Sequence, residues 1–162
     1  MELLKKHKKD LDYFPEIILG RSGNISAYID DYLNKIVYQD GEYLITCDSF
    51  KSPKWLKLWH LSNNNQVLVG ELLCKEKIVF NAKYISVINV EIDKAHRGKG
   101  FSYRLYNSLL SNLEKEVRGI ISHHKLRQNK KRANKIFNNL GGFVNTNGYL
   151  EIPNPKTTNY YE

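Results

Sequence analysis

The run Val90-Glu91-Ile92-Asp93-Lys94-Ala95-His96-Arg97-Gly98-Lys99-Gly100-Phe101-Ser102 constrains this chain most. YISVINVEI (84–92) is rich in β-branched residues and reads as a strand. A loop with two glycines follows, and a helix begins at once, from about Ser102 to Glu116, with Leu105, Leu109, Leu110 and Leu113 on one face. Glycine lets the backbone pass close to a ligand, and the first-turn amides of a helix point outward with the positive end of its dipole. That combination suits a phosphate or pyrophosphate, and Arg97 and Lys99 add positive charge for the same anion. The Walker pattern GxxxxGK[ST] is absent, and Gly98-Lys99-Gly100 lacks the third glycine of the dinucleotide fingerprint.

The surrounding pattern reads as a single α+β domain, 1–162. Ile25, Tyr28, Ile29, Tyr32, Leu33 and Ile36 recur at helical steps. Asp40-Gly41 then predicts a hairpin turn between IVYQ and EYLITC, and SNNN a second between WLKLWHL and QVLVGELLC. Beyond the first long helix, RGIISHH (118–124) reads as a strand and roughly 128–140 as a helix that Gly141-Gly142 ends. FVNTNGYLEI closes the domain as a hairpin around Asn147-Gly148, and the tail from Pro153 is expected to fray.

Composition removes several classes. With 41% hydrophobic and 26% charged residues, the 162-residue chain reads as an ordinary globular domain. No apolar run approaches the ~20 residues that span a bilayer. The opening MELLKKHKKDLDYF lacks the apolar centre of a signal peptide, so a cytoplasmic protein without a membrane partner is expected. Cys47 and Cys74 lie in apolar stretches with no metal-ligand spacing, which predicts reduced core thiols and no metal site.

Arg97-x-x-Gly100-x-Ser102, with Ile92 five residues upstream, resembles the acetyl-CoA pyrophosphate loop of the GNAT superfamily (Gcn5-related N-acetyltransferases). The resemblance covers roughly 54–152. It implies a central mixed, mostly antiparallel sheet flanked by helices and splayed between strands 84–92 and 118–124. Acetyl-CoA would enter as co-substrate, with the backbone at Ile92 pairing with the pantetheine arm. Arg97, Gly98, Lys99, Gly100, Phe101 and Ser102 would hold the pyrophosphate, and Arg127 and Lys130 are candidates for the 3′-phosphate. The implied chemistry is direct attack of a primary amine on the thioester.

The catalytic groups follow the family pattern less closely. Where many members carry a Tyr that protonates the leaving thiolate, this chain has Phe137, and Tyr103, Tyr106 and Tyr149 are the possible replacements. Lys125 stands where some relatives carry a Glu; Arg127 keeps the pattern, and Asn129 falls one place short of it. Candidate bases are Glu91, at the end of the first splayed strand, and His123 and His124, at the end of the second. Trp55, Trp59 and the Tyr-rich stretch 28–43 either line the acceptor pocket or pack in the core.

Charge supplies the last clue. The 25 Lys and Arg against 17 Asp and Glu leave +8. Between Val117 and Leu150 there is no acid, only Arg118, Lys125, Arg127, Lys130, Lys131, Arg132 and Lys135. A phosphorylated co-substrate accounts for part of this excess; an acidic peptide or RNA would account for the rest. The expected activity is therefore N-acetyl transfer to a small molecule, a protein or an aminoacylated RNA, by a monomer or homodimer. The alternative is a non-catalytic module of the same fold that binds CoA or RNA.

Overall fold

The computed structural model describes residues 35–62, 65–124 and 131–157, with 131–134 as backbone alone. The strands are β1 (Lys35–Asp40), β2 (Tyr43–Cys47), β3 (Trp55–Ser62), β4 (Asn65–Val79), β5 (Ala82–Ile92), β6 (Gly119–Ser122), β7 (Phe143–Val144) and β8 (Leu150–Pro153). They form one sheet in the order β1-β2-β3-β4-β5-β6-β8-β7. Every neighbouring pair is antiparallel except β5–β6. Helix α1 (Phe101–Ser111) makes the crossover that a parallel pair requires, and α2 (Lys131–Asn139) precedes the closing hairpin. This is the expected mixed, mostly antiparallel α+β sheet.

Strand register sorts the side chains into two faces. Paired residues share a face, so Ile45, Cys47, Leu56, Leu58, Leu72, Cys74, Val87, Ile85, Ile120 and Ile152 lie together. They join Leu105, Leu109 and Phe137 in one core, where Tyr106 meets Phe137 edge-on at 5.5 Å. The opposite face carries Thr46, Lys57, Glu71 and Glu91 in register across β2 to β5. There Trp59 donates its indole N–H to Thr46 Oγ1 at 3.2 Å, and Lys57 Nζ lies 4.0 Å from the Trp55 ring centroid. Trp59 is thus a core residue.

Both thiols are free and buried, as expected. Burial pushes Cys47 up to about 12 and raises Cys74 in the same direction. Thiols of the unfolded chain ionise first, near 8.5. Stability should therefore be undiminished below that pH and fall as the pH climbs from about 9 towards 12. Urea midpoints measured across this window test it; a flat profile would count against the buried-thiol assignment.

Several boundaries differ from the sequence reading, each for a local reason. The first hairpin loop is Gly41-Glu42, with Asp40 still paired to Tyr43, because only Gly41 takes a positive φ (50°). β4 runs to Val79 and turns into β5 through Phe80 (φ 46°) and Asn81 (φ 63°), a hairpin that no glycine announces. α1 stops at Ser111, where the Asn112 amide turns back to Ser108 O at 2.7 Å. The strand expected at 118–124 is only Gly119–Ser122, which leaves His123 and His124 beyond its end. Gly141 (φ 81°) does end α2, with the Gly142 N–H on Phe137 O at 2.6 Å. The hairpin at Asn147-Gly148 also forms, with Gly148 at φ 84°.

The segment after Pro153 does not fray through Thr157. Asn154 is fully buried, and its amide donates to Val117 O (2.8 Å) and Glu114 O (2.9 Å). The helical expectation over 25–34 falls outside the described residues; Ile36 itself is in β1.

Candidate functional site

β5 pairs with β6 only from Tyr84↔Gly119 to Val87↔Ser122. From Ile88 to Ile92 it runs on without a β6 partner, and its end opens into a cavity of about 500 Å³. Val90, Glu91 and Ile92 line it from the strand; His96, Arg97, Gly98, Gly100, Phe101 and Ser102 line it from the loop and helix. Seven of the residues singled out from the sequence thus meet at one place.

The loop takes this path because two residues adopt backbone angles that only glycine holds cheaply. Gly98 and Gly100 both sit at φ 79°, and a Cβ on either would meet nothing within 4 Å. Conformation, not space, demands glycine here. Gly100 is the residue before α1, and the Arg104 N–H reaches back to Gly100 O at 3.1 Å. The amides of Phe101, Ser102 and Tyr103 therefore precede the first intrahelical bond of that register. With no acid in the first turn of α1, the positive end of the helix is uncompensated there.

Arg97 and Lys99 of the loop both find partners within the chain. Arg97 Nε donates to Ile92 O at 2.8 Å, closing the loop onto the strand end. The Ile92 carbonyl is consequently engaged within the chain. Lys99 Nζ donates to the Tyr43 hydroxyl at 3.2 Å and lies 5.6 Å from that ring's centroid. Tyr43 also packs on Phe101 at 4.4 Å between ring centroids and bonds His96 Nδ1 at 2.9 Å. His96 is the site residue that sequence reasoning missed, and Tyr43 was read only as part of the Tyr-rich stretch 28–43, not as a partner of the loop. His96 was visible in the loop, but its partner lies 53 residues earlier, beyond the reach of any local pattern.

The candidate bases separate. Glu91 is half-buried in the cavity wall, opposite Glu71 on β4. His123 and His124 do not line that cavity. Their rings lie 4.3 Å apart just past β6, where Ser122 Oγ donates to His124 O at 2.7 Å. Lys77 Nζ joins this second cluster, donating to Tyr149 Oη (3.2 Å) and reaching His123 O at 3.5 Å. Burial raises the Tyr106 hydroxyl well above its ordinary range, and Phe137 is packed in the core. Lys125, Arg127, Asn129 and Lys130 lie outside the described residues. Among the described residues, no group of three or more His, Cys, Asp or Glu could hold a metal ion, and no helix is long and apolar enough to cross a membrane.

No protein-family profile and no curated protein matches the sequence. Solved structures do. A chain of the NatC complex bound to Gag peptide and CoA is similar at 14% identity and a TM-score of 0.50, over 61% of this chain and 70% of that one. A chain of the NatB acetyltransferase complex bound to CoA and MES is similar at 15% identity and a TM-score of 0.50, over 62% and 73%. The protein described here has the GNAT acetyltransferase fold.

Proposed function

We propose that this protein is an acetyl-CoA-dependent N-acetyltransferase acting on a primary amine. The observation that carries the reading is the cavity at the end of β5, where the unpaired strand edge, two left-handed glycines and the start of α1 converge. Its chemistry fits a long thioester with a pyrophosphate. The loop and first-turn amides of α1 take the anion, and the open edge of β5 takes the extended arm. Acetyl-CoA would supply the acetyl group as a thioester. Glu91 accepts a proton from the attacking amine, directly or through one water, as the N–C bond forms; the C–S bond breaks with its electron pair on sulfur, and CoA leaves as the thiolate, which takes a proton from water. The loop residues hold the donor in place so that attack is effectively intramolecular.

A second reading, a CoA- or RNA-binding module without turnover, is favoured by one observation: Phe137, at the place of the family's proton donor, is a buried core residue. Calorimetry with acetyl-CoA, followed by a single-turnover assay against an amine panel, separates the two. Binding with transfer supports the enzyme, binding without transfer supports the module, and no binding at millimolar acetyl-CoA removes the enzyme and any CoA-binding module. Gly100→Val tests the loop. A side chain held in the left-handed region costs about 1–2 kcal/mol, so acetyl-CoA affinity should fall about tenfold, read by the same titration. Unchanged affinity would overturn the role of the loop.

A further inference from the structure

Tyr43 lies at the start of β2, outside the loop, yet two loop residues and the first residue of α1 rest on it. A lysine ammonium can only donate, so the Tyr43 oxygen accepts from Lys99. With that oxygen engaged by a cation, the phenol proton is best placed on His96 Nδ1, 2.9 Å away. Nδ1 is then a lone pair, the imidazole is neutral, and its one proton sits on Nε2. Since His96 lines the cavity, Nε2–H is the polar group it has left to offer there. We propose that Lys99, Tyr43 and His96 form a donor chain that presents a neutral His96 Nε2–H to a phosphate group of the ligand in the cavity. The ligand as CoA rests on the reading above; the donor chain itself does not.

The charges around His96 agree with a neutral ring. Burial first, then His60 with its ring centroid 4.9 Å away, and then Lys99 hold its pKa below the usual histidine range, with Asp93 opposing. His60 in turn faces Glu42 at 3.2 Å. His96 therefore acts as a directed hydrogen-bond donor and not as a cation, which distinguishes it from the basic side chains of the loop.

Long-range ¹H–¹⁵N spectra of the intact protein at neutral pH should show His96 neutral and protonated at Nε2. Adding inorganic pyrophosphate, and separately CoA, should shift the Nε2 signal. His96→Leu should weaken pyrophosphate and CoA about tenfold, while His96→Gln, which can place an N–H near the same point, should stay within about threefold. Tyr43→Phe should release the ring to sample the Nδ1–H form. A charged or Nδ1-protonated ring in the unaltered protein, unchanged affinity in His96→Leu, or an Nε2 signal that neither ligand moves would each overturn the proposal. Response to pyrophosphate without any binding of CoA would leave the donor chain standing and remove the acetyl-transfer reading instead.

Discussion

Glu91→Gln should lower kcat for acetyl transfer about a hundredfold and leave the KM for acetyl-CoA nearly unchanged. The reason for the split is positional. The loop proposed to hold the anion and the wall that carries Glu91 are adjacent parts of one cavity, and the carboxylate is the group proposed to take a proton from the amine. General-base contributions of this kind are typically 10²–10⁴-fold. The substitution should not cost stability. Glu91 stands directly opposite Glu71 on β4, and removing one of two facing acids relieves repulsion across the strands. The melting temperature of Glu91→Gln should equal or exceed that of the unaltered protein, so lost turnover cannot be ascribed to unfolding. His123→Ala is the companion variant, since its ring lies past β6 and outside the cavity wall. Full turnover by both variants between about pH 6 and 9 would overturn the assignment of the base; loss in His123→Ala alone would move it to the second cluster.

The strand–loop–helix unit was legible because its determinants are consecutive: β-branched residues, two glycines and a leucine face. The same holds for Gly141 and for Asn147-Gly148, where the required φ belongs to the residue that announces it. Phe80-Asn81 was not legible, since a phenylalanine at φ 46° contradicts its own preference and is held there by the long β4–β5 ladder. Asn154 failed for a different reason. Its side chain is fixed by carbonyls 37 and 40 residues earlier, and no window of sequence contains both ends. Tyr43 and His96 belong with Asn154: the loop half of that contact was in view, and the strand half was supplied by the β2–β3 register. Local chemistry therefore brought together the residues of the proposed anion site, while the groups that contact its loop came from strands paired at long range.

Gly119→Ala should destabilise the fold by about 3 kcal/mol, the upper part of the range for forcing atoms into a packed interior. Gly119 opens β6 between two partners, Tyr84 on β5 and Pro153 on β8. A Cβ there would run into the Ile152 carbonyl oxygen and lie 3.1 Å from Ile152 C and 3.2 Å from Pro153 Cα. These are backbone atoms, so no side chain can rotate away. Nor can β8 step aside easily: the Asn154 N–H holds Arg118 O at 2.9 Å, and the Asn154 amide is anchored to Val117 and Glu114. For a chain of this size such a loss corresponds to a fall of about 6–12 °C in Tm. Gly100→Val supplies the contrast, since open space surrounds that Cβ and its strain is confined to one exposed loop residue. Gly119→Ala should thus melt well below Gly100→Val, while acetyl-CoA affinity measured in the cold should show the opposite order. A Tm for Gly119→Ala within about 2 °C of the unaltered protein would mean that β8 can yield, and that the β6–β8 ladder does not lock β6 in place.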